Sequence, residues 1–292
     1  MYLTGFADEA SQNLGVQIQV TKALGWNAIE ARGIWGSNIH DLEEGAFNEA
    51  CQMLAAAEVH VNCFGSTIAN WAKRIEDPFE VTLAEVDRAI PRMKRLGTKL
   101  IRIMSYARCK GEEQHAAERF ARLRELQARF ADAGLTPVHE NCMNYGGMSW
   151  RHTLELVENV PGLKLVFDTG NPAITLDPAK AGGATQDPLE FYWKVREHVA
   201  YVHIKDARLE GDTEIYSYPG EGHGRVPEIL TALIEDGYDG GISIEPHMAS
   251  VFHDPDAATA SEDESAAIYA EYGRRLMGLL KEAGATPSPY AA

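Results

Sequence analysis

Four short apolar runs in the second half of the 292-residue chain end in side chains that can hold a cation or move a proton. They are Pro137-Val-His-Glu140, Leu165-Val-Phe-Asp168, Tyr201-Val-His203 and Ile242-Ser-Ile-Glu245. Three carboxylates gathered in a partly buried site repel one another unless something positive lies between them, and a divalent cation is the economical answer. Three oxygen donors and one imidazole nitrogen suit a borderline-hard ion: Mn²⁺ first, Co²⁺ or Mg²⁺ as alternatives. Zn²⁺ ranks lower, because structural zinc more often recruits cysteine. Taken singly, each acid has a plainer use as a helix cap or an ion-pair partner. Four in register carry the reading.

For these side chains to meet, the runs that carry them must be neighbouring strands pointing the same way. Short apolar runs with little alternation predict strands near Leu3–Ala7, Ala28–Arg32, Val59–Phe64, Leu100–Met104, Thr136–Glu140, Leu163–Asp168, Tyr201–Ile204 and Ile242–Glu245, a pattern typical of parallel strands covered on both faces. Gly25, Gly97, Gly134 and Gly237 each close a helical pattern just before such a run, as a residue suited to the left-handed conformation past a helix end does. Pro78 after Asp77, Ser149 before Trp150, and Val226-Pro227-Glu228 mark helix starts. A long last helix is expected near Glu262–Ala283, and Pro178–Pro188 and Asp254–Glu264 are expected to be loops. The fold class predicted is α/β, a single (β/α)8 TIM barrel spanning 1–292. A doubly wound sheet would call for a glycine-rich phosphate turn after its first strand, and Gly5-Phe-Ala-Asp-Glu-Ala-Ser has none. In such a barrel functional groups sit at the C-terminal ends of strands. The four residues fall there, spaced about 28, 35 and 42 residues apart, near the roughly 31 per unit of a 250-residue barrel.

These residues resemble those of the xylose isomerase-like TIM barrels, the superfamily of sugar isomerases, ketose 3-epimerases and inosose dehydratases that also includes the endonuclease IV relatives. The likeness runs over nearly the whole chain: Gly5-Phe-Ala-Asp-Glu-Ala-Ser, Phe64-Gly-Ser66, His139-Glu140-Asn141, Phe167-Asp168-Thr-Gly-Asn171, Val202-His203-Ile-Lys205-Asp206, Pro219-Gly-Glu-Gly222 and Glu245-Pro-His247. By this resemblance Glu140, Asp168, His203 and Glu245 are the metal ligands, and the two glutamates flank the reacting carbon as acid and base. A metal on a carbonyl and an adjacent hydroxyl stabilises the charge that develops as the neighbouring C–H proton leaves. Return of the proton to the other face of the enediolate gives an epimer, and return to the adjacent carbon an isomer. Loss of a β-substituent makes the enzyme a lyase, of the inosose dehydratase or 3-keto-glycoside-eliminating type.

Around these four, Asn171, Lys205, His247, Arg32 and Arg102 are candidate substrate-binding residues. Lys205 shares a face with His203, with an ion pair as the alternative use. Asn171 stands where the epimerases carry a histidine; an amide can bind a hydroxyl but shuttles no proton at neutral pH. His247 has a loop hydrogen bond as its plain use, and the arginines have pairing with acids such as Glu30. His139 is expected to point away from Glu140 and pack behind the barrel. Trp35, Phe64, Trp71, Tyr216, Tyr218 and His223 are weaker candidates, the aromatics because isolated ones more often pack in cores.

Forty-three acidic residues against 27 basic ones give a net charge of -16, which opposes nucleic-acid binding and excludes a nuclease. Arg32 and Cys63 also stand where an endonuclease IV-like cluster needs histidines. A silent sugar-binding barrel is disfavoured by the four intact ligands. Cys51, Cys63, Cys109 and Cys142 form no CxxC pair, so a reducing cytoplasm is expected. The first residues lack a signal-peptide pattern, and no run is long enough to span a membrane. The expected partner is a small sugar or cyclitol, uncharged rather than phosphorylated; a homo-oligomer, dimer or tetramer, is left open.

Overall fold

The computed structural model describes residues 1–249 and 260–291. Eight strands run parallel: β1 (Tyr2–Gly5), β2 (Ala28–Ala31), β3 (His60–Phe64), β4 (Leu100–Ile103), β5 (Thr136–Glu140), β6 (Lys164–Asp168), β7 (Val199–Ile204) and β8 (Gly241–Ile244). Their order is β1-β8-β7-β6-β5-β4-β3-β2, and the two ends meet at a parallel bridge between Phe6 and Glu30. The result is a nearly closed TIM barrel, as the strand count predicts.

Outside it stand α1 (Leu14–Ala23), α2 (Glu44–Ala57), α3 (Phe79–Leu96), α4 (Ala116–Asp132), α5 (Trp150–Asn159), α6 (Pro188–Val195), α7 (Val226–Glu235) and α8 (Glu262–Glu282). Helix ends follow the sequence signals: α3 stops at Gly97, whose φ of 73° no β-carbon has to tolerate. Of the expected Asp254–Glu264 loop, residues 254–259 lie outside the described residues. Residues 262–264 instead form the first turn of α8, because Ser261 and Glu264 bond reciprocally in a capping box. Two antiparallel hairpins were not expected, Gly33–Ile34 with Ser37–Asn38 and Asp206–Glu210 with Thr213–Ser217. They sit in the loops after β2 and β7, too short and polar to stand out from loop sequence.

Because side chains alternate along a strand, each barrel strand sends one set outward and one into the lumen. Outward residues such as Ile29, Ile101, Phe167 and Ile204 join the helices in the main apolar core. Inward, Cys63, Val138, Val166 and Tyr201 form a small separate cluster. Next to it lies a polar layer: Thr4 Oγ1 donates to Asn62 Oδ1 (2.8 Å), and Asn62 Nδ2 donates to the Tyr201 hydroxyl (2.9 Å), all buried. This layer sets the floor on which the mouth of the barrel is built. Asn62→Ala removes the amide that joins these hydroxyls, although Thr4 Oγ1 keeps Ala28 O (3.1 Å), and is expected to cost about 1–2 kcal/mol, read as a lower urea midpoint; a change within about 0.5 kcal/mol would show the layer to be dispensable.

Candidate functional site at the barrel mouth

Glu140 and Asp168 end β5 and β6, His203 is the next-to-last residue of β7, and Glu245 directly follows β8. Each lies two residues beyond a lumen-facing position (Val138, Val166, Tyr201 and Ser243), so parity turns all four inward. All four are buried, and each offers a ligand atom within 4.8 Å of the other three. His203 Nδ1 stands 3.6 Å from both Glu140 Oε1 and Glu245 Oε2. Asp168 Oδ2, His203 Nδ1 and Glu245 Oε2 are buried and enter no hydrogen bond; Lys205 Nζ makes only ion-pair approaches to the two carboxylate oxygens, at 3.3 and 3.0 Å.

On its other side, His203 Nε2 lies 2.9 Å from Glu30 Oε2, which also accepts from Ser243 Oγ at 2.7 Å. With Nε2 held by Glu30, Nδ1 faces the shared centre, the usual way a carboxylate orients a ligating histidine. The electrostatics suit a cation at this centre. Burial raises the Asp168 carboxyl to about 7, and Lys205 does not offset this with Glu245 and Glu140 so near. Burial also raises Glu140, but Arg102 and His203 outweigh it and hold it at about 2; for Glu245, Lys205 and His247 outweigh burial and hold it well down. Three carboxylate oxygens and one imidazole nitrogen gathered this closely form a donor set that fits a divalent ion.

Two arginines hold the outer oxygens of the glutamates. Arg102 Nη1 donates to Glu140 Oε2 (2.9 Å), and Arg32 Nη1 to Glu245 Oε1 (3.2 Å). Arg32 also bonds Asp8 Oδ2 (2.9 Å) and Glu9 Oε1 (3.1 Å). Both guanidiniums stack on the Phe6 ring, 4.1 and 4.9 Å from its centroid, and the same ring meets His203 edge-on. His247 takes a left-handed φ of 53°, its N–H donating to Glu9 Oε2 at 2.7 Å and its Nδ1 lying 2.9 Å from Glu9 Oε1. Asn171 receives Lys205 Nζ at 3.1 Å on its Oδ1 and lies 3.4 Å from Glu140 Oε1 through Nδ2.

Above the four acids and bases opens a cavity of about 440 Å³. All five substrate-binding candidates, Arg32, Arg102, Asn171, Lys205 and His247, line it, with an apolar side from Trp71, Met104, Met143 and Ile174. Other candidates fall elsewhere. Phe64 is core, His223 and Trp35 are exposed, Tyr216 packs on His247, and Tyr218 lies beneath Arg275. His139 points away from Glu140 to Ser105 Oγ (3.0 Å). Arg32 does pair with acids, its plain use, but with Asp8, Glu9 and Glu245 rather than Glu30, which reaches deeper, to His203. Sequence reasoning gave no separate role to Phe6, Asp8 and Glu9, and gave Glu30 only as an ion-pair partner for an arginine. Only Glu30, on the lumen parity of Arg32, left a readable signal.

A family model described as xylose isomerase-like TIM barrel matches residues 18–270, and the chain belongs to that family. No curated protein matches in sequence. Among solved structures, the IolI protein with a binding zinc atom is similar at a TM-score of 0.72 and 16% identity over 97% of this chain and 99% of that one. A D-tagatose 3-epimerase-like protein gives 0.70 and 19% over 98% and 100%. The probable 3-DHS dehydratase AsbF of petrobactin synthesis from Bacillus anthracis gives 0.68 and 18% over 95% and 99%. At these identities the likeness is one of fold. The Glu30–His203 contact yields a direct test: Glu30→Gln is expected to weaken divalent-metal affinity about 10- to 100-fold with the fold intact, measured by chelator competition; unchanged affinity would remove Glu30 from the metal's support.

Proposed function

We propose that the protein is a divalent-metal-dependent sugar isomerase or epimerase that enolises a keto sugar or polyol, with Glu140 and Glu245 as acid and base. The observation that carries this is the set of buried, unbonded atoms on Asp168, His203 and Glu245, facing Glu140 at the floor of a sugar-sized cavity. Glu140, Asp168, His203 and Glu245 would hold the ion, Mn²⁺ by the hardness of this donor set; when bound, it supplies positive charge that stabilises the enolate oxygen.

The chain's own residues do the rest. Arg102 and Arg32 fix one oxygen of each glutamate; Arg102 and His203 keep Glu140 ionised, and Lys205 and His247 keep Glu245 ionised, so a proton acceptor is ready before substrate enters. The two glutamates stand on β5 and just beyond β8, three strands apart round the barrel, and so approach a substrate from different sides. One takes the proton beside the carbonyl. Return by the other inverts the carbon, and return to the adjacent carbon interconverts aldose and ketose. Lys205 and Asn171 bind hydroxyls, and Trp71 with Met104 and Met143 excludes water from one side. Lys205 also favours a second reading: its ammonium can give a proton to a departing β-hydroxyl or alkoxide, which converts enolisation into elimination. The four cysteines, none of them disulfide-bonded, fit a cytoplasmic setting.

The substrate we propose is uncharged. A barrel often grips phosphate with loop N–H groups after its seventh strand, but here the N–H groups of Gly220, Gly222 and Gly224 all donate to the Asp206 carboxylate, at 2.7, 3.1 and 2.7 Å. The protein's own anion fills that cradle, and Glu221 beside it pairs with Arg275. Arg32 and Arg102 are committed to carboxylates.

Two measurements test the reading. Metal-loaded protein incubated in D₂O with ketoses, inososes and 3-keto-glycosides is expected to place deuterium at one carbon by NMR, the product separating epimer, isomer and alkene. Glu140→Gln and Glu245→Gln should each lower turnover at least about 100-fold with metal still bound, whereas Asp168→Asn should mainly lose metal. Near wild-type turnover in either glutamine variant refutes the two-glutamate mechanism. Inorganic phosphate is expected not to compete in the micromolar range; competition that is lost in Arg32→Ala or Arg102→Ala would establish a phosphorylated substrate instead.

A further inference from the structure

We propose a second metal site, formed by Glu76, Cys109 and His115, that takes zinc or another thiophilic divalent ion and braces two loops at the barrel mouth. Glu76 lies between β3 and α3, and Cys109 and His115 between β4 and α4. One ligand atom from each lies within 4.8 Å of the others, and all three line a cavity of about 660 Å³ separate from the one above Glu140. A thiolate, an imidazole and a carboxylate are a zinc donor set. Bond lengths of about 2.0 to 2.3 Å put tetrahedral ligand atoms roughly 3.5 Å apart, so closure by about an ångström through rotation of part-exposed side chains suffices.

The loop is already shaped for this. The Gln114 side chain clamps it: Oε1 accepts from the Cys109 N–H (2.9 Å), and Nε2 donates to the carbonyls of Cys109 (3.1 Å) and Gly111 (2.8 Å). That closes the five residues between Cys109 and His115 into a tight turn, which ends at His115 with a left-handed φ of 54°. The two loops are joined by backbone bonds from Tyr106 N–H to Ala69 O (2.6 Å) and Ala107 N–H to Lys73 O (2.8 Å). Arg119, buried, donates through Nη2 to Cys109 Sγ at 3.2 Å, a contact that fixes where the sulfur sits. Glu113 Oε1, 3.9 Å from His115 Nδ1, is within reach of a fourth position. Arg74 and Arg108 also line the cavity. Lys110 lines it too, and Arg74 pairs with Glu76 at 3.5 Å; the ion has to displace that exposed pair, and once the thiol proton has left, a thiolate and a carboxylate balance its charge. Since the loop bearing Glu76 also carries Asn70 and Trp71 of the substrate cavity, an ion here would hold that wall in place.

Cobalt(II) titration of the full chain distinguishes this site from the oxygen-rich one, because only a thiolate ligand gives a sulfur-to-cobalt charge-transfer band in the near ultraviolet. The expected result is two ions per chain and such a band. Cys109→Ser and His115→Ala should each abolish the band and one equivalent of metal, and Cys142→Ser should keep both. Glu76→Gln, at an exposed position, provides a variant that does not disturb the fold and should also weaken the band. No band in the wild type, a band that survives Cys109→Ser, or one that disappears in Cys142→Ser overturns the proposal. Failure of the Glu140 centre would look different: one ion per chain with the band intact.

Discussion

The arrangement at the barrel mouth follows from one constraint: buried carboxylates at adjoining strand ends must be neutralised or protonated. Arg32 and Arg102 neutralise the outer oxygens of Glu245 and Glu140, and Glu30 takes the far side of His203. The inner oxygens of Asp168 and Glu245 meet Lys205, that of Glu140 meets Asn171, and Asp168 is the group whose proton affinity rises. Removing one partner of such a pair strands a buried charge, which is far more destabilising than the pair is stabilising. The same balance makes the centre receptive to a divalent ion.

Phe6 ties this network together. It continues β1 into the bridge with Glu30 that brings the sheet ends together, and its ring carries both arginines on its surface while its neighbour His203 meets it edge-on. Closing the barrel and aiming the two glutamates are therefore one structural event. Cation–π contacts of desolvated guanidiniums are worth roughly 2 kcal/mol, enough to choose between rotamers of Arg32 and Arg102 and so to fix where Glu245 and Glu140 point.

Asp206 illustrates the opposite use of buried charge. Three N–H groups of the loop before α7 converge on it, as such turns do on phosphate in other barrels. Gly222 and Gly224 sit so near its carboxylate that an added β-carbon would lie 2.3 and 2.8 Å from Oδ1, which is why this turn is built of glycine. The protein thus orders the loop with an internal anion.

By itself the sequence determined the barrel and the convergence of four side chains, because both depend on local rules: apolar runs closed by glycine stops, and a side-chain period of two. Strand ends came out within one or two residues, and Glu140, Asp168, His203 and Glu245 were legible as the polar residues at four successive strand ends. The cavity-lining positions of Arg32, Arg102, Lys205, Asn171 and His247 were also legible, as strand-end or near-strand polar residues. Their partners were not. Which acid Arg32 meets depends on the three-residue turn Ala7–Glu9, which brings Asp8 and Glu9 across from the opposite end of the sheet, and on Glu30 reaching deeper. The hairpins after β2 and β7, the use of Asp206 as an internal anion, and the grouping of Glu76 with Cys109 and His115 likewise join residues far apart in the chain. No local period encodes such contacts. They exist only once the barrel has closed and its loops have packed against one another.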